Sequence, residues 1–157
     1  MIQDVIDKWL KNTQDALVEN YDALGLRASG RWARSLTPYQ SRENNRFLVG
    51  IMGEKYTGAI EFGRRPNRNQ SQEALRKWVG WAGSTFLADW VKAKGLRISP
   101  YAVAWKIARQ GWRVPNNFNK GGLVSNVITD KRINELIEEL RVFYLKEIRT
   151  DLVNTLK

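Results

Sequence analysis

The sequence predicts an α+β fold in a single domain of 157 residues. Three observations predict it: apolar residues recur at helical spacing in both terminal segments, two short β-rich runs flank a polar turn, and capping residues delimit short helices between them. Helices and strands of this kind pack in layers around a core. In chain order, the predicted elements are a helix over 1–24, a β-hairpin over 36–53, short helices over 72–111, a loop over 112–126 and a helix over 130–155.

The two terminal helices are predicted from their apolar stripes. The first stripe includes Ile6, Leu17 and Tyr21, and Gly25 follows it as a natural stop for a helix. In the last helix the apolar residues also repeat every three or four positions, and Asp130 is the predicted N-cap. Both helices should therefore present one apolar face to the rest of the domain.

The hairpin and the middle helices are predicted from local signals. Runs rich in Leu, Val, Ile, Phe and Tyr lie on both sides of the polar turn 43–45, which is typical of a small antiparallel hairpin. Such a hairpin is marginal alone, so it must pack on helices or gain strands from elsewhere. Ser71, and Ser99 followed by Pro100, are predicted to start two of the middle helices.

The segment 112–126 combines large apolar residues with Arg, Pro, Asn, Lys and Gly. Its polar background disfavours a fixed fold in isolation, yet its apolar side chains need a cover. We expect a loop that is mobile in the free subunit and orders on a neighbouring subunit, with Trp112 and Phe118 as anchors. The alternative is that the loop folds back over its own core.

Charge is concentrated in the middle of the chain. The net charge is +10, and residues 25–120 alone carry eighteen basic and five acidic residues, a surplus of thirteen positive charges. Such a surplus suits a polyanion or an acidic protein, or forms a solvated basic face. Phosphate contacts of this kind would give weak, sequence-independent DNA affinity that falls steeply with salt.

Catalysis is not expected. The chain has no histidine and no cysteine, so imidazole mechanisms, thiolate nucleophiles and the usual zinc sites are excluded. The carboxylates of the basic middle stand isolated in sequence, and no glycine-rich phosphate loop follows a strand. We therefore expect no enzymatic activity and no cofactor. No stretch is long and apolar enough to predict a membrane span.

The stretch YTGAIEFGRRP at 56–66 holds one glutamate between large apolar residues. If it forms a short helix or turn, Tyr56 and Ile60 should point inward and Gly63 should close the turn at positive φ. Glu61 is then expected to accept backbone N–H bonds or to pair with an arginine. We expect Glu61 and Phe62 to fix the turn that sets the hairpin against the helices or a neighbouring subunit. If the Phe62 ring is buried, Phe62→Ala should cost about 2–4 kcal/mol.

Four short motifs in one order resemble the head–tail joining, or tail-completion, proteins of tailed bacteriophages. They are SGRWARSL at 29–36, YTGAIEFG at 56–63, LRKWV at 75–79 with WVKAKG at 90–95, and AWKIARQGW at 104–112. The resemblance covers about residues 1–125. Two positions depart from it, because Arg64 and Trp112 stand where threonine is usual after a glycine. These departures suggest that the two loops contact a different neighbour.

The resemblance implies a non-enzymatic virion protein that is made in the host cytoplasm and forms a ring at the head–tail junction, in the neck or tail. Its implied partners are further copies of itself, the portal or connector, and tail proteins, with genomic DNA passing through the bore and no membrane. The motif residues Tyr56, Ile60, Glu61, Phe62 and Gly63 are the implied interface.

In such a ring Arg64, Arg65 and Arg68 are candidates to face the DNA. The alternative is a basic nucleic-acid-binding module without a virion role. Five of the seven tryptophans lie in residues 78–112 among basic residues, a pattern that single-strand grooves use for base stacking. Particle mass discriminates the two, because only the ring protein should form a large closed oligomer.

Overall fold

The computed structural model describes residues 1–44 and 46–155, and it confirms the α+β fold. Long helices lie at both ends, and short helices and two small antiparallel sheets lie between them. The helices and strands are α1 (Ile2–Ala23), α2 (Arg31–Ser35), β1 (Thr37–Glu43), β2 (Arg46–Met52), α3 (Thr57–Phe62), β3 (Gly63–Arg64), α4 (Gln72–Ser84), α5 (Phe86–Ala93), α6 (Pro100–Gln110), β4 (Trp112–Arg113) and α7 (Asp130–Thr155).

The predicted hairpin is confirmed. β1 pairs antiparallel with β2, from Thr37 opposite Met52 to Glu43 opposite Arg46. Its connecting turn includes Asn44, which adopts a positive φ of 47°. The third residue of the predicted turn, Asn45, lies outside the described residues. The hairpin rests against α1, as the sequence analysis required of so small a sheet.

Most of the buried apolar side chains form two clusters. The first joins α1 and α2 to the segment before α7, through Leu17, Tyr21, Trp32, Leu36, Leu123 and Val127. The second lies within α4, α5 and α6, through Leu75, Val79, Ala82, Leu87, Ala104 and Ala108. Gly83 of α4 lies against the Tyr101 ring, where a β-carbon would come within 2.5 Å of the ring, so the helices approach closely.

The caps of the middle helices are as predicted. The Ser71 hydroxyl accepts a hydrogen bond from the backbone N–H of Ala74 at 3.3 Å, and α4 begins at the next residue. The Ser99 hydroxyl does the same for Ala102 at 3.4 Å, with Pro100 as the first residue of α6. These local bonds satisfy N–H groups that have no partner within the helix.

The prediction of Asp130 as the N-cap of the last helix is wrong by one residue. Asp130 is the first residue of α7, and the Thr129 hydroxyl accepts the hydrogen bond from the N–H of Arg132 at 3.3 Å. The start of α7 is fastened to α1, because the Trp9 indole donates to the Arg132 carbonyl at 2.9 Å. None of the helices in residues 1–44 and 46–155 is long and apolar enough to cross a bilayer.

The segment 112–126 is not a solvated loop along its whole length, so the expectation of a mobile loop needs correction. Trp112 and Arg113 form β4, and Leu123 is fully buried in the first cluster. The chain thus covers the C-terminal half of the segment itself, which was the alternative. Phe118, at the tip, is 82% exposed and contributes nothing to this packing.

Candidate functional site

The short helix α3 ends in a conformation that only glycine adopts readily. Gly63 has φ 84° and ψ −173°, which confirms the predicted positive φ. A β-carbon at this position would collide with the backbone carbonyl of Trp112, because β3 and β4 approach closely there. Glycine is therefore required both for the turn and for the strand pairing that follows it.

Glu61 is the buried residue of α3, with 7% of its surface exposed. One carboxylate oxygen accepts a hydrogen bond from the N–H of Val124 at 2.8 Å, and the other accepts one from Ser125 at 3.1 Å. Of the two predicted roles, acceptance of backbone N–H bonds is thus confirmed. The carboxylate ties α3 to a segment far along the chain, and this structural role requires no chemistry.

A second bond reinforces the same junction. The side-chain amide of Asn119, which is 4% exposed, donates to the carbonyl of Ile60 at 2.8 Å. The side-chain oxygen of Asn119 accepts a hydrogen bond from the N–H of Gly121 at 2.9 Å. Buried polar groups with partners on both sides hold a segment in one arrangement. We call this set, Ile60–Gly63 with Asn119 and 123–125, the Glu61 junction.

The charge state of Glu61 follows from two opposed effects. Burial raises the pKa of this carboxyl group, because it disfavours the charged form. The hydrogen bonds from Ser125 and from the N–H of Val124 favour the charged form and together outweigh burial, so the pKa lies below its ordinary value. Glu61 is therefore a carboxylate at neutral pH and cannot serve as a proton donor there.

The motifs of the sequence analysis contact one another through α3 and β3, which adjoin this junction. The Trp32 indole of the first motif donates to the Thr57 hydroxyl of the second at 2.9 Å. β3, at the end of the second motif, pairs with β4 at the end of the fourth. The guanidinium of Arg64 lies over the ring of Trp78 in the third, 4.3 Å from its centroid. Segments far apart in sequence thus meet at one place.

The structure places Ile60 as expected, half-buried and packed against the first cluster, but it places Tyr56 and Phe62 differently. Phe62 is 79% exposed and Tyr56 is 40% exposed, so neither ring is buried. The reason for Phe62 is geometric. Consecutive helical residues point about 100° apart, so Phe62 points away from the core when Ile60 and Glu61 face it. Phe62 therefore projects outward beside the junction.

The three arginines that were candidates to face DNA differ in accessibility. Arg65 and Arg68 are exposed. Arg64 is half-buried, stacks on Trp78 and donates to the Asn67 side-chain oxygen at 2.6 Å, while its Nη1 atom is buried without a partner among the described residues. Burial lowers the pKa of Arg64. A second stacked pair places Arg109 over Trp105, 4.9 Å from the ring centroid.

Sequence reasoning missed the donors that hold Glu61. Val124 and Ser125 contribute only backbone N–H groups, so no residue type marks them. Gly121 and Gly122, which both adopt positive φ, indicate a turn just before Val124 and Ser125. That signal indicates a turn but not which side chain the turn encloses.

Within the described part of the chain, no group of three His, Cys, Asp or Glu side chains lies close enough together to hold a metal ion. Comparisons with models of protein families, with curated proteins and with solved structures found no match to this chain.

Proposed function

We propose that this protein is a structural component of a tailed-bacteriophage virion that assembles as a ring at the head–tail junction, in the neck or tail. The observation that carries the proposal is that the contacts among the four resembling motifs centre on α3 and β3. Thr57 of α3 accepts a hydrogen bond from Trp32, Arg64 of β3 stacks on Trp78, and β3 pairs with β4. These contacts support the interpretation that the motifs belong to one structural unit.

Ring assembly needs a surface that contacts a different surface on the next subunit. Phe62 and Phe118 project beside the junction with 79% and 82% of their surface exposed. On the hairpin, Phe47 and Leu48 are also exposed, at 43% and 59%. Large apolar residues that stay exposed are candidates for docking surfaces. We assign them to contacts with the next subunit or with the portal, connector and tail proteins.

The basic middle of the chain is assigned to the bore. Arg65 and Arg68 are exposed on the loop after β3, and they belong to a region with a surplus of thirteen positive charges. DNA that passes through a ring must not be held at one sequence. Phosphate contacts from arginine satisfy this condition, because they carry no base information. We expect synthesis in the host cytoplasm and a final location in the virion.

The test is particle mass and shape. The purified chain, at increasing concentration, is measured by native mass spectrometry and viewed by negative-stain electron microscopy. Closed particles with a central hole, at masses that are multiples of 18.2 kDa and larger than a dimer, are expected. Phe62→Asp should remove them without changing helical content. The matched control is Val142→Asp, which alters an exposed apolar residue on α7. Monomers and dimers alone, at every concentration, would refute the ring.

A second candidate function, a nucleic-acid-binding module without a virion role, is favoured by the stacked pairs Arg64–Trp78 and Arg109–Trp105. Arginine beside an accessible aromatic ring can bind phosphate and stack a base together. Binding of single-stranded oligonucleotides distinguishes this function. Sub-micromolar affinity at physiological salt by a chain that never exceeds a dimer would select it over the ring.

A further inference from the structure

The last helix, α7, presents two different faces. Arg132, Leu136, Leu140 and Phe143 are half-buried and lie on the side that faces α1. The Arg132 carbonyl accepts the hydrogen bond from Trp9, and its guanidinium donates to the Thr13 hydroxyl at 3.4 Å. These contacts hold only the first half of the helix. Every described residue from Tyr144 to Thr155 is exposed, so the second half projects about 18 Å beyond its contacts.

A second face carries a continuous exposed apolar stripe. Its members Ile133, Ile137, Tyr144, Ile148 and Leu152 are 40%, 52%, 44%, 55% and 59% exposed. Positions eleven apart lie almost above one another after three turns of helix, so Ile133 aligns with Tyr144 and Ile137 with Ile148. Isolated helical segments of about a dozen residues are marginal in water. A partner along this stripe would therefore stabilise the projecting half of α7.

The order of residues along the stripe identifies that partner. In an antiparallel pair of identical helices, residues equidistant from the midpoint face each other. About a midpoint between Val142 and Phe143, the facing pairs are Ile133 with Leu152, Ile137 with Ile148, and Tyr144 with Arg141 at the edge of the stripe. Each aliphatic residue meets another aliphatic residue, and the one cation meets an aromatic ring, a favourable contact.

We infer that the α7 stripe is the interface of an antiparallel homodimer, in which the projecting half of each α7 lies along the packed half of the other. A parallel pair would instead place Arg141 against Arg141 of the second copy, where the like charges repel. Charge also favours a second copy at this place. The chain carries a net +10, but residues 121–157 hold six basic and six acidic residues, so repulsion between two copies is weakest at α7.

This inference does not depend on the proposed ring. A ring requires contacts between unlike surfaces, whereas the α7 pair is a contact between like surfaces. The variants that test the two are also separate, because Phe62 and the α7 stripe lie on different parts of the chain. A chain that forms dimers but no larger particle would support the dimer and refute the ring.

The first test measures the dimer directly. Sedimentation equilibrium of the full chain is expected to show a dimer of twice 18.2 kDa. Ile137→Lys with Ile148→Lys should weaken dimerisation at least ~100-fold, because it buries unpaired charges at the centre of the interface. The matched control, Val142→Lys with Val153→Lys, alters two exposed apolar residues of α7 that lie off the stripe. We expect it to change the dissociation constant by less than about threefold. Circular dichroism checks that all variants remain helical.

The second test measures the direction of pairing and uses the absence of cysteine from the chain. Ile137→Cys and Ile148→Cys variants, one with a size tag, are mixed in equal amounts, allowed to exchange and treated with a short bismaleimide. Antiparallel pairing predicts that the mixed dimer dominates the cross-linked product. Dominant homodimers, or the statistical mixture, would overturn the proposal. A wild-type chain that stays monomeric at about 100 μM would overturn it as well, and would leave the stripe to a different protein.

Discussion

Glu61→Gln is the change that tests the junction most directly. The side chain keeps its size, but the amide offers one acceptor where the carboxylate offers two, at 2.8 and 3.1 Å from the N–H groups of Val124 and Ser125. The variant loses one charge-assisted hydrogen bond and leaves a buried N–H facing an NH₂ group. Together these losses should cost about 3 kcal/mol of unfolding free energy.

Thermal and urea unfolding measure this cost. In a domain of this size, 1 kcal/mol corresponds to roughly 2–4 °C in Tm, so we expect Tm to fall by about 6–12 °C. The control is Glu147→Gln, an exposed glutamate on α7, for which the change should stay within about 0.5 kcal/mol. A loss of less than about 2 °C for Glu61→Gln would refute the role of the junction.

The same variant also predicts a pH dependence. The folded pKa of Glu61 lies below its ordinary value of about 4.3, so folding favours the carboxylate form. Its contribution is therefore complete above that ordinary pKa and is lost as the pH falls through the lower folded value. The difference between wild type and Glu61→Gln should be constant from pH 7 to about 5 and should shrink below about pH 4. A stability difference that is the same at pH 3 as at pH 7 would contradict the assignment of Glu61 as a carboxylate in the folded protein.

Three further changes separate backbone, surface and charge effects. Gly63→Ala should lower the free energy of unfolding, measured by chemical denaturation, by about 2–4 kcal/mol, because it forces a side chain into a glycine-only conformation and against β4. The control Gly58→Ala, which adds a methyl group in open space within α3, should raise it by up to about 1 kcal/mol. Phe62→Ala should leave Tm unchanged within about 2 °C and yet abolish rings, since its side chain is 79% exposed; a large fall in Tm would contradict this placement. For DNA, replacing both Arg65 and Arg68 by Gln should weaken binding to random and defined duplexes equally and reduce the salt slope by about 2, and a sequence-dependent loss would speak against the bore.

The elements that the sequence predicts well are those whose causes are local. The first helix, its glycine stop and the caps at Ser71 and Ser99 depend on residues within four positions of one another. The error at the start of α7 is of the same local kind, because Thr129 and Asp130 are both good caps and only the backbone geometry decides between them.

The placement of Phe62 could not be predicted for a different reason. A motif with an apolar residue on both sides of Glu61 suggests that the apolar residues face inward and the charge faces out. For Glu61 and Phe62 the reverse holds, because the buried carboxylate meets two N–H groups supplied by a segment that begins 63 residues later in the chain. Single-sequence periodicity carries no information about a donor at that distance.

The two sides of the Glu61 junction differ in how easily they can be recognised from the sequence. On the α3 side, the carboxylate must be a glutamate of the right length, and Gly63 must be a glycine, so the residue types themselves carry the structure. On the other side, Val124 and Ser125 provide only N–H groups, which every residue except proline has. These hydrogen bonds therefore place almost no constraint on the side chains of Val124 and Ser125. A short, recognisable motif can therefore organise a distant segment that has no motif of its own.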